Sequence, residues 1–100
     1  MVCNDRYFPE TTRWLRENGS QVILCPTGGA FKYDMLIQRS RETGVGTVWV
    51  HPCGFAATAP DGKILLEKHF EGREKHISAS EVGGSADHAE VFQISMPIAP

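Results

Sequence analysis

The chain has 100 residues, of which 41% are hydrophobic, with 10 Lys and Arg against 12 Asp and Glu and a formal charge of -2. Size and apolar content fit one small globular domain or part of one. The interspersed charges provide neither a basic field for phosphate backbones nor a polybasic segment for anionic lipid, which excludes nucleic acid and membrane as first-choice partners.

The opening Met1-Val2-Cys3-Asn4-Asp5-Arg6 lacks the apolar stretch of a signal peptide, and no later run approaches the roughly 20 residues of a membrane span. The cysteines Cys3, Cys25 and Cys53 form no CxxC pair and are too few for a disulfide framework, a usage that fits a reducing cytoplasm. Pro9 and Glu10 ahead of residues 11–18, with Gly19 behind them, predict a helix, and Glu10 suits the positive end of its dipole. Residues 21–25 are a short β-branched run closed by Pro26-Thr27-Gly28-Gly29, which predicts a buried strand and a loop. Tyr33, Leu36 and Ile37 recur at helical spacing within residues 33–42, so a second amphipathic helix is expected there, ending near Gly44.

A second buried strand is expected over residues 47–51, and Asp61-Gly62, preceded by Pro60, predicts a hairpin between residues 56–59 and 63–67. Residues 71–88 are polar and read as a loop-rich excursion, and residues 90–96 as a final strand stopped by Pro97. Helices alternating with buried strands point to an α/β layered fold. A reactive cysteine at a strand-to-helix turn is ordinarily presented by an apolar strand, yet only Met1 and Val2 precede Cys3, so that scaffold is expected to be missing from these 100 residues.

The run Cys3-Asn4-Asp5-Arg6-Tyr7-Phe8-Pro9-Glu10, then Asn18-Gly19, then Val22-Ile23-Leu24-Cys25-Pro26-Thr27, resembles the nucleophile region of the nitrilase superfamily, the carbon-nitrogen hydrolases. Val48-Trp49-Val50-His51-Pro52 and Thr58-Ala59-Pro60-Asp61-Gly62-Lys63-Ile64 look like the next core strand and hairpin of that family, and Glu90-Val91-Phe92-Gln93-Ile94 like its closing strand. The resemblance implies a partial α-β-β-α sandwich of the nitrilase type, with residues 1–100 as the C-terminal part of a carbon-nitrogen hydrolase domain. Asn4-Asp5-Arg6 is most similar to N-carbamoyl amino acid amidohydrolases and related amidases. Those enzymes often carry two successive basic residues that engage a substrate carboxylate, and Tyr7 stands where the second would be.

A thiol with an ordinary pKa of about 8.5 needs a base or a positive neighbour to act as a nucleophile at neutral pH. The resemblance implies a Cys-Lys-Glu triad in which Glu is the general base and Lys helps hold the oxyanion. The thiolate attacks an amide, carbamoyl or nitrile carbon, and water then releases the acid. On that pattern Cys3 is the nucleophile, the N–H of Asn4 an oxyanion donor, Arg6 a substrate-side cation and Thr27 a pocket-lining hydroxyl. The Glu and Lys are expected on earlier strands. Glu10 reads as a surface acid on the helix, Lys32 has no evident place in a triad, and His51 reads as a core histidine at the end of an apolar strand.

His51 and Cys53 are two apart, but Pro52 interrupts them, and Cys25, His69, His76 and His88 follow no finger or ribbon pattern, so no metal is expected. Gly28-Gly29 and Gly83-Gly84 lack the Lys and spacing of phosphate loops, and no cofactor is expected either. Two functions follow. One is a piece of a cysteine-dependent hydrolase, inactive alone and acting on a small-molecule amide, carbamoyl or nitrile once completed. The other is a non-catalytic interaction or assembly module. Open strand edges and an uncovered apolar face would make either one a homo-oligomer or a partner-bound chain.

Overall fold

Pro9 has no N–H to lose at a helix start, and in the computed structural model, which describes residues 1–28, 33–69 and 93–98, it opens helix α1 (Pro9–Glu17). Ahead of it, residues Cys3–Tyr7 form a 3-10 turn. Strand β1 (Val22–Pro26) follows, then helix α2 (Asp34–Thr43) and strand β2 (Gly46–His51), which lies parallel to β1. Strands β3 (Gly54–Thr58) and β4 (Ile64–His69) complete a sheet in the order β1-β2-β3-β4, with the last two pairings antiparallel. The helices and strands expected in the first 69 residues are therefore present, each displaced by one or two residues at its ends. Pro26 fits because β1 is an edge strand, where a missing N–H breaks no ladder.

One face of the sheet carries the core. Leu36, Arg39, Ser40 and Thr43 are the buried residues of α2, a spacing that puts them on one helical stripe. Cys25, Leu36, Trp49 and Ala56 form the buried cluster, with Met1 and Tyr33 packed against it. The hydroxyls under α2 satisfy one another: Ser40 Oγ lies 2.6 Å from Thr58 Oγ1, which lies 2.5 Å from Thr47 Oγ1. The opposite face also carries apolar side chains, of which Leu24 is 61% and Val50 51% exposed.

The connection from β2 to β3 is a second hairpin that turn chemistry did not announce. Pro52 ends β2, as its missing N–H requires, but the chain turns straight back, and the Cys53 N–H donates to His51 Nδ1 at 2.9 Å. The Asp61-Gly62 hairpin forms as expected: Gly62 has φ of 89°, and the Lys63 N–H is capped by Asp61 Oδ1 at 2.9 Å.

The expected final strand over residues 90–96 needs correcting, because residues 93–98 belong to no strand. Ile94 instead joins Val48, Phe55, Ala57 and Leu66 around a small apolar depression on the opposite face, so burial of side chains wins there over pairing of a strand edge. Residues 90–92 and the excursion over 71–88 lie outside the described residues.

Gly46 marks a close approach between that segment and the sheet. A Cβ built there would meet the Thr58 carbonyl oxygen at 2.9 Å and also run into the Met96 sulfur. The backbone oxygen cannot step aside as a side chain can. Gly46→Ala is therefore expected to destabilise by about 1 to 3 kcal/mol, read as a lower urea midpoint at unchanged slope.

Candidate active site

The Cys3–Tyr7 turn sits at the carboxyl ends of the two parallel strands, the end at which open α/β sheets bind ligands. The Met1 ammonium donates to Leu24 O at 3.2 Å, and the Cys25 thiol reaches Cys3 O at 3.9 Å. Asp5 closes the turn, its Oδ2 accepting the Val2 N–H at 3.0 Å. Among the described residues Cys3 is the one non-glycine with positive φ, at 49°. An L side chain in that left-handed conformation is strained by about 1 to 2 kcal/mol, and such strain gathers at functional sites.

Cys3 lines a depression of about 480 Å³ together with Val2, Pro26, Thr27, Gly28, Val50, His51 and Pro52. The geometry thus brings Cys3 and Thr27 together. Thr27 is buried, with its N–H donating to Val50 O at 2.8 Å and its hydroxyl 3.7 Å from Cys25 Sγ. Asn4 is exposed, and its Oδ1 stands 3.8 Å from the Cys3 sulfur.

Arg6 lies elsewhere than a substrate-side cation would. It is 3% exposed and is not among the residues lining the depression. Its Nη1 donates to Cys3 O at 2.7 Å and its Nη2 to the Tyr7 hydroxyl at 3.1 Å, with the guanidinium 4.6 Å from the Tyr7 ring centre. The reason is local: a 3-10 turn brings the side chain of its fourth residue back beneath the carbonyl of its first.

His51 also departs from expectation. It is buried at the end of β2, as an apolar strand end suggests, yet it also lines the depression beside Cys3. Its ring stacks on Trp49 at 5.1 Å, and Nδ1 accepts the Cys53 N–H, which places the proton of the neutral imidazole on Nε2. Tyr33 packs against the other side of this aromatic group, 5.2 Å from Trp49. Burial, followed by the hydrogen bond to Glu67 and the charges of Glu67 and Asp34, pushes the Tyr33 hydroxyl up to about 12, so it stays neutral. Glu10 lies exposed on the first turn of α1, as expected, and Lys32 falls outside the described residues.

One supporting residue, Arg39, lies outside the motif. Arg39 donates from Nε to Arg6 O at 2.9 Å and from Nη2 to Tyr7 O at 3.3 Å, and pairs with Glu42 at 2.6 Å. That hydrogen bond holds the Glu42 carboxyl below the usual carboxylate range, against the opposing effect of burial. Cys25 and Tyr7, both within the motif but given no supporting role by it, complete the setting. The available signal was a basic residue on the apolar stripe of α2, which periodicity marks as unusual but gives no partner.

No family model matches the chain, and no curated protein matches it significantly. Solved structures do. A cysteine-to-alanine variant of the amidase of Nesterenkonia AN1, from the nitrilase superfamily, is 26% identical with a TM-score of 0.63 over 71% of this chain and 33% of that one. A glutamate-to-glutamine variant of the same amidase, carrying the acetamide moiety of fluoroacetamide on its active-site cysteine, is 28% identical with a TM-score of 0.64, over 71% and 33%. The Saccharomyces cerevisiae protein Nit3, of branch 10 of the nitrilase superfamily, is 18% identical with a TM-score of 0.63 over 68% and 31%, a likeness of fold alone. The architecture is accordingly part of a nitrilase-type α/β fold, and the chain spans about a third of the length of these structures.

Proposed function

We propose that this chain carries the nucleophile-bearing part of a cysteine-dependent carbon-nitrogen hydrolase. The observation that carries the reading is Cys3: a thiol in a strained left-handed turn, at the carboxyl ends of the parallel strands, facing a depression shared with Thr27 and His51. The acetamide moiety of fluoroacetamide carried on the active-site cysteine of a structural neighbour supports a nucleophilic cysteine in this fold, the first requirement of the proposed hydrolysis. In it the Cys3 thiolate adds to the carbon of an amide, carbamoyl or nitrile group, with the Asn4 N–H helping to hold the charge that develops on the heteroatom. Thr27 lines the acyl side. None of the described residues lining the depression is Lys or Glu, so a base and a second oxyanion donor would have to come from outside this set. The preference for N-carbamoyl amino acids loses its support in Arg6, whose guanidinium is spent on the turn.

A second reading, a non-catalytic assembly module, is favoured by the sheet face on which Leu24 and Val50 stand exposed. The same face supports a partner layer in the catalytic reading, supplied by a second chain or by further nitrilase-type structure. One experiment separates the two. The chain is mixed with the complementary part of a nitrilase-type amidase, and ammonia release from simple amides is measured. Release that depends on Cys3 is expected. Binding without any ammonia would leave the assembly module standing, and release unaltered in Cys3→Ala would remove Cys3 as nucleophile.

A further inference from the structure

We propose that Arg6 is a positioning residue for the oxyanion donor: by gripping the Cys3 carbonyl it locks and polarises the peptide whose N–H is that of Asn4. This rests on the nucleophile reading of Cys3.

The carbonyl of Cys3 and the N–H of Asn4 belong to one planar unit, in which a trans peptide points them in opposite directions. Fixing the oxygen therefore fixes the donor. Arg6 Nη1 holds that oxygen at 2.7 Å, a short charge-assisted bond, and the Cys25 thiol adds a weaker one at 3.9 Å. A cation on the oxygen draws electron density out of the amide and makes its N–H the stronger donor. The guanidinium is itself immobilised. It is 3% exposed, bonded to the Tyr7 hydroxyl and seated on the Tyr7 ring, while Arg39 clamps the carbonyls of residues 6 and 7 from α2. A structural ion pair does not account for it: among the described residues no carboxylate pairs with Arg6, and its Nε is buried without a partner. What the buried charge does meet is the carbonyl of the strained residue, Cys3.

The test compares two reactions of Cys3 in the full chain. With p-nitrophenyl acetate the thiolate adds to the ester carbon and the carbonyl electron pair moves onto oxygen. Collapse then re-forms the carbonyl and expels p-nitrophenolate, leaving a thioester. With iodoacetamide the thiolate displaces iodide at a saturated carbon, and no oxyanion forms. Arg6→Met is expected to slow acylation about tenfold, a fraction of the loss seen when an oxyanion donor is removed outright, and to leave alkylation almost unchanged. An equal fall in both rates would mean that Arg6 only supports the fold, and no fall in acylation would also overturn the proposal. If circular dichroism finds Arg6→Met unfolded, Arg6→Lys replaces it, since a point cation cannot hold Cys3 O and the Tyr7 hydroxyl in one fork. Selective loss of acylation is again expected, and full retention overturns the proposal. Acylation absent from Cys3 in the unaltered chain, judged against Cys3→Ala, would remove the nucleophile reading and this inference with it. Acylation at Cys3 that is indifferent to Arg6 removes the inference alone.

Discussion

Trp49→Ala is expected to cost about 3 to 5 kcal/mol, the range for deleting a buried aromatic, and so to consume much of the roughly 5 to 15 kcal/mol that holds a small domain folded. Trp49 is 0% exposed and stands at the centre of the sheet's covered face, between Tyr33 at 5.2 Å and His51 at 5.1 Å. Among the described residues Cys25, Leu36 and Ala56 complete the buried cluster, and small side chains such as Cys and Ala cannot lean in to fill an indole-sized void. Because His51 stacks on Trp49 and lines the depression beside Cys3, the damage would extend to the candidate site. Denaturant unfolding and the iodoacetamide reactivity of Cys3 should therefore change together. A loss below about 1 kcal/mol would mean that this core is not continuous with the site.

Cys3→Gly is expected to move stability and activity in opposite directions. A side chain at φ of 49° is strained by about 1 to 2 kcal/mol, and glycine adopts that conformation freely. The greater freedom of glycine in the unfolded chain returns about 0.5 to 1 kcal/mol of this, leaving a net gain of up to about 1.5 kcal/mol. The thiol is lost altogether, so ammonia release by the complemented protein should vanish. Cys3→Ala is the control, since it removes the sulfur and keeps the Cβ that causes the strain. The expected order of thermal stability is therefore Cys3→Gly above Cys3→Ala, with both inactive. The reverse order would mean that the turn around Cys3 is relaxed, and that its conformation is no sign of function.

Local chemistry alone determined most of the elements. Pro9 can begin a helix because it lacks an N–H, the β-branched runs ending at Pro26 and before Pro52 favour strands, and Asp61-Gly62 supplies a turn that only a positive φ allows. The family resemblance around Cys3, on which the proposed nucleophile rests, likewise lies within eight contiguous residues. What those residues touch was decided only by the tertiary structure. Arg6 reads as a free cation in the motif and is a buried brace in the fold, because its partner is a carbonyl three residues back and its clamp comes from Arg39, 33 residues away. His51 reaches the depression only because β2 ends beside the Cys3 turn, and Ile94 joins apolar surface instead of a paired strand, a choice made by the half-buried side chains of Val48, Phe55 and Leu66. Backbone preferences act over a few residues and are written in the chain. Burial and hydrogen bonding of side chains are settled by neighbours distant in sequence, and no window of the sequence contains them.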